Sequence, residues 1–143
     1  MICLARTHIR RPLEPKGTLF FRLLYFTPAL VWGIFILYFS LMPGNEVPRF
    51  MVQLDDKLIH GGIYFFSAGL IYLGFIRFNF KNPISRLMLG CIVLLCVVYG
   101  GAIEIVQHYC VPRRVGDWFD FLANTTGSVV CVLLFAIYHR IRA

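Results

Sequence analysis

Four stretches of this 143-residue chain stay apolar for the length that a lipid bilayer demands: Leu19–Met42, Leu58–Ile76, Leu87–His108 and Phe121–Tyr138. A helix needs about 20 mostly apolar residues to cross the hydrocarbon layer. The chain is 59% hydrophobic, with a mean hydropathy of +0.73, which is more than a soluble core of this size can bury. The expected fold class is therefore an all-α membrane protein, a compact four-transmembrane-helix bundle. A signal-peptide reading of the first run fails, because the run is too long and lacks a small-residue cleavage site. Pro28 is expected to kink that span. Small residues recur in the other three, among them Gly61, Ala68, Gly100, Gly127 and Ser128, and such residues let helices approach closely in lipid.

Orientation follows from the basic residues. Of the fourteen Lys and Arg, ten fall before the first span, just inside it, between the second and third, or after the fourth. The other four are Arg49, Lys57, Arg113 and Arg114. The positive-inside rule puts the larger set, and both termini, in the cytoplasm. Residues 1–18 then form a basic cytoplasmic segment, 19–138 the membrane domain and 139–143 a short basic cytoplasmic tail. The basic residues punctuate apolar runs rather than forming a folded basic face, so nucleic acid is not an expected partner. The five cysteines show no metal-ligand spacing such as CxxC. Cys91, Cys96 and Cys131 read as small hydrophobes inside apolar runs, and Cys3 and Cys110 fall on opposite sides of the membrane.

Six of the seven acidic residues lie on the other, outward side, and three of them, Glu104, Asp117 and Asp120, flank Arg113 and Arg114 in "EIVQHYCVPRRVGDWFDFLAN". Helical spacing makes stripes of them. His60 and Tyr64 are one turn apart at the start of the second span, and Glu104, Gln107 and His108 share a face at the end of the third. Asp120 and Asn124, with Gly127, line the start of the fourth. Asp120 could simply cap its helix, Lys57 could snorkel to the interface, and His108 and Tyr109 read as ordinary interfacial residues. Glu104 is different, because an ionised carboxylate one turn inside a bilayer costs a few kcal/mol. It needs a partner, and Arg114, Lys57 and His60 are the candidates.

The set Asp56, Lys57, His60, Tyr64 (D-K-x-x-H-x-x-x-Y), Glu104 and Gln107 (E-x-x-Q), Pro112 and Arg114 (P-x-R), and Asp120, Asn124 and Gly127 (D-x-x-x-N-x-x-G) resembles the VanZ-like membrane proteins of bacteria. The likeness covers Asp55 to Ser128, about half of the chain. Asp117 has no place in the pattern. The resemblance implies a multi-pass protein of the bacterial cytoplasmic membrane. It also implies a link to low-level tolerance of the glycopeptide teicoplanin.

Three functional classes remain. An envelope accessory or binding protein would use Asp56, Lys57, His60, Tyr64, Glu104, Gln107, Arg114, Asp120 and Asn124 to engage a lipid head group or cell-wall precursor. Arg114 would grip phosphate or carboxylate with its planar fork. An outer-leaflet enzyme acting on a phosphorylated lipid would use His60 or Glu104 as acid or base. The chain offers no activated Ser or Cys, so an enzyme is not the favoured reading. A small subunit of a larger membrane complex is the third class. No cofactor and no metal are expected, although Glu104, His60, Asp120 and His108 could meet in space. A conductor of ions is disfavoured, because the inner halves of spans three and four are almost wholly apolar.

Overall fold

The structure is a computed structural model that describes residues 19–45, 55–78 and 84–142. The first apolar run forms α1 (Leu19–Leu23), a 3-10 turn (Leu24–Phe26) and α2 (Thr27–Ser40). The others form α3 (Asp56–Phe78), α4 (Arg86–Cys110) and α5 (Trp118–Arg142). Together they make four helical spans long and apolar enough to cross a membrane, Leu19–Ser40, Asp56–Phe78, Arg86–Cys110 and Trp118–Ile141. The expected all-α bundle of four membrane-length helices is thus observed. The N-terminal segment 1–18, Arg49 and Lys81 lie outside the described residues, as does Ala143.

The break in the first span has a local cause. Pro28 lacks an N–H, and its ring would clash with a carbonyl one turn back, so it is tolerated only in a helix's first turn. It sits in the first turn of α2, and the 3-10 turn before it absorbs the discontinuity. The three later spans each begin on a side-chain oxygen that accepts an otherwise orphaned N–H. Asp55 Oδ1 accepts from Lys57 N at 3.0 Å and Leu58 N at 3.3 Å. Ser85 Oγ accepts from Met88 N at 3.2 Å, and Asp117 Oδ1 from Phe119 N at 2.9 Å.

Helix α3 makes its most extensive interface with α5, and α4 packs next against α5. Backbones meet closely there: a Cβ on Gly127 would overlap the Gly61 carbonyl, so only glycine fits. Ala68 and Ser128 are wholly buried in the same seam. Tyr64, Tyr72, Ile92, Cys96, Cys131 and Val132 complete the core. Tyr72 stacks on Phe135 with ring centroids 3.9 Å apart and bonds His139 through its hydroxyl. Large side chains such as Leu94, Val98 and Leu133 are exposed on the outside of the bundle, as suits a surface solvated by lipid.

The first span is held more loosely, with Ile36 its one buried residue. Phe26 packs against Phe75 and Phe78. Polar bonds help to fix the rest: Trp32 Nε1 donates to Ser67 Oγ at 3.1 Å and to the Ile63 carbonyl at 3.4 Å, Tyr99 OH to the Gly33 carbonyl at 2.6 Å, and Gln107 Nε2 to the Ser40 carbonyl at 3.0 Å. Between this span and α3 and α4 lies a largely apolar cavity of about 500 Å³, bordered by Ala29, Gly33, Ser67, Ile71 and Leu95.

Candidate functional site

The starts of α3 and α5 and the end of α4 meet at one end of the bundle, and their helical stripes face one another. Lys57, in the first turn of α3, reaches across to α5. Its ammonium donates to Asp117 Oδ2 at 2.6 Å and also bonds Asp120 Oδ1, with Asp56 Oδ2 3.6 Å away. One turn deeper, His60 Nδ1 lies 3.2 Å from Asn124 Oδ1. Its Nε2 faces Asp56 Oδ1 at 3.7 Å and Asp120 Oδ2 at 3.8 Å. A further turn down, the Tyr64 ring and the Asn124 amide both press on Gly100, where a Cβ would stand 3.2 Å from each. The stripes on α3 and α5 are therefore joined in one network of Lys57, His60, Asp120 and Asn124, with the Tyr64 ring packed beneath it.

Glu104 takes a partner that spacing did not suggest. Its Oε2 accepts the backbone N–H of Asp117 at 3.1 Å, rather than a cation. Its Oε1 is buried and has no hydrogen-bond partner among the described residues; the Tyr64 hydroxyl is in the same condition. Gln107, 3% exposed, is spent on the first span through the Ser40 carbonyl.

Asp117 joins these parts, although it stands outside the family pattern. It caps α5, accepts from Lys57 and presents its N–H to Glu104. The Lys57 ammonium, and then the Phe119 N–H, hold its carboxyl below the usual carboxylate range. A signal for it was present in the sequence, since an aspartate immediately before an apolar run is a helix-start signature.

The loop residues Arg113 and Arg114 behave differently from the acids they separate. No carboxylate among the described residues lies within ion-pair distance of either. Arg113 adopts φ 60°, which turns the chain sharply before α5. The Gly44 N–H bonds the Pro112 carbonyl at 3.4 Å, so the turn after the first span leans on this loop.

Three of the groups can also serve as a metal ligand set. Asp56, His60 and Asp120 each offer one ligand atom, all within 4.8 Å of one another. His108 is not among them; it stands beside Tyr109, with centroids 4.7 Å apart, on the wall of a cavity next to Glu104. The donor set of two carboxylates and one imidazole suits a divalent ion, but the Lys57 ammonium already occupies Asp120.

Comparison with known proteins gives the geometry a family context. The chain is 30% identical over 96 residues to the uncharacterized protein C11E3.10 of Schizosaccharomyces pombe, covering 66% of this chain and 55% of that relative. The chain thus spans about half the length of the curated relative it matches. No solved structure matches it. The VanZ/LLP1 family model matches residues 17–139, which takes in the first three spans, nearly all of the fourth and every residue of the network, and the chain belongs to that family.

Proposed function

We propose that the protein is an accessory or binding protein of the cell envelope that engages the polar head group of a lipid or a cell-wall precursor. Its polar end faces outward from the cytoplasmic membrane, with both termini inside. The observation that carries this reading is the charged network built by three helices at one end of the bundle, beneath a loop whose two arginines lack carboxylate partners among the described residues. Packing alone needs no such charge, which is costly in lipid. Arg114 suits phosphate or carboxylate, because its fork binds them bidentately. A relative in a yeast favours a lipid head group, which both kinds of organism share, over a cell-wall precursor.

Tolerance of teicoplanin in a bacterial host is the phenotype that the family resemblance points to. The test is susceptibility of a Gram-positive host expressing wild type, Glu104→Ala or Arg114→Ala, at membrane levels matched by immunoblot. Raised tolerance with wild type, lost in both equally abundant variants, supports the reading. No effect of wild type removes the link to the antibiotic.

A small subunit of a larger complex is the second reading. It is favoured by the first span, which buries only Ile36 and leaves Leu30, Val31, Ile34 and Tyr38 uncovered. Recovery of a stoichiometric membrane partner in mild detergent would support it.

A further inference from the structure

The cavity of about 500 Å³ beside the first span follows from how that span is held. The span approaches α3 and α4 far less closely than α3 approaches α5. It is pinned instead through the tips of two aromatic side chains, Trp32 on Ser67 Oγ and Tyr99 on the Gly33 carbonyl. At the end far from the polar network, Phe26 packs edge-on against Phe75, with ring centroids 5.0 Å apart. Leu37 and Tyr64 stand at the other end.

The walls select apolar matter. No Lys, Arg, Asp or Glu lines them among the described residues. The Ser67 hydroxyl donates to the Ile63 carbonyl at 2.8 Å, the Tyr99 hydroxyl is bonded to Gly33, and the Tyr64 hydroxyl is closed off by its neighbours. The cavity thus offers a polar ligand no charge and no hydroxyl proton. Such a space excludes water, whereas hydrocarbon gains van der Waals contacts there.

Shape narrows the choice further. The wall runs from Phe26 to Leu37 on the first span and from Tyr64 to Phe75 on α3, each about 16 Å of helix. The volume spread over that length gives a section of about 30 Å², which admits a methylene chain but not a helix about 10 Å across. Leu30, Ile34 and Leu95 line the cavity yet are each more than half exposed, so its side opens onto the lipid-facing surface. Leu37 lies one turn below Ser40, which Gln107 holds, and Gly44 beyond it bonds the Pro112 carbonyl. The loop of Arg113 and Arg114, without carboxylate partners among the described residues, therefore stands over the upper end.

We propose that this cavity binds one acyl chain of a phospholipid from the leaflet at the polar end, with the lipid phosphate beneath the loop arginines. The inference rests on the reading that the polar end takes a lipid head group, and it adds where the tail goes.

The test titrates purified full-length protein in mild detergent with dioleoyl phosphatidylglycerol and reads bound lipid by native mass spectrometry. Wild type should hold one lipid per chain. Ala29→Phe and Ile71→Phe, which fill the cavity from opposite walls, should each bind it about tenfold more weakly, the scale of displacing two methylenes. Diphytanoyl phosphatidylglycerol, with the same head group on wider, methyl-branched chains, should bind wild type more weakly by a similar factor.

Filled variants that bind as well as wild type would overturn the inference. If Arg114→Ala then loses the lipid, the head-group reading survives. Weakened binding in both filled variants, with none in Arg114→Ala, would support the chain site and detach it from the head-group reading. No lipid on wild type would sink both. If the filled variants do not fold, the branched lipid decides, and binding equal to the dioleoyl form would overturn the proposal.

Discussion

Lys57 Nζ lies 2.6 Å from Asp117 Oδ2, joining the first turn of α3 to the residue that caps α5, 60 positions along the chain. That bond, with the second to Asp120, closes the polar end of the bundle. Two further carboxylates, Asp56 and Glu104, stand close to it through His60 and the Asp117 N–H.

Removing this cation leaves its acids facing one another. Lys57→Met should lower stability by about 1–2 kcal/mol, below the range for breaking a fully buried pair, because the Lys57 side chain is 42% exposed. It also frees Asp120 to act with Asp56 and His60 as a ligand set. Zinc should therefore raise the melting temperature of Lys57→Met in detergent by more than it raises that of wild type. An equal response of the two proteins would count against the set.

The same bond sets an acid sensitivity. Because the Asp117 carboxyl is held below its usual range in the folded protein, its contribution is fully present above the ordinary carboxylate value, about pH 4. It is lost as the pH falls through the lowered folded value. The stability advantage of wild type over Asp117→Asn should hold down to about pH 4 and then shrink. Asparagine still caps a helix, so the comparison isolates the charge. Thermal melts across that interval provide the check, and an advantage that grows on acidification would contradict the assignment.

Gly127 tests the seam. Since a Cβ there would overlap the Gly61 carbonyl, Gly127→Ala must push α3 and α5 apart along their main interface. A cost of about 2–3 kcal/mol, the scale of overpacking, should appear as reduced yield of monodisperse protein. Gly62→Ala, where a Cβ meets nothing within 4 Å, should be near neutral.

Topology is checked through Cys110, which is exposed and unpaired at the polar end. In a variant with Cys110 as its sole cysteine, a membrane-impermeant maleimide should label intact cells from outside. Labelling only after lysis would turn the bundle over and put the polar network in the cytoplasm.

Much of this was legible in the sequence, for a physical reason. Bilayer thickness dictates the length of an apolar run, so the four spans could be counted before any helix was seen. Helical repeat puts residues three or four apart on one face, so His60 with Tyr64, and Asp120 with Asn124, could be grouped in advance. What α-helical periodicity cannot supply is which faces turn toward each other and how close they come. That depends on the Gly61–Gly127 approach, which brings Lys57 within reach of Asp117 and Asp120 and His60 within reach of Asn124. It also depends on a loop that aims a backbone N–H, rather than an arginine, at Glu104. Sequence patterning determined the spans and the stripes because lipid enforces them residue by residue. Only the tertiary structure decided who pairs with whom, because a hydrogen bond is made across ångströms that spacing along one helix does not measure.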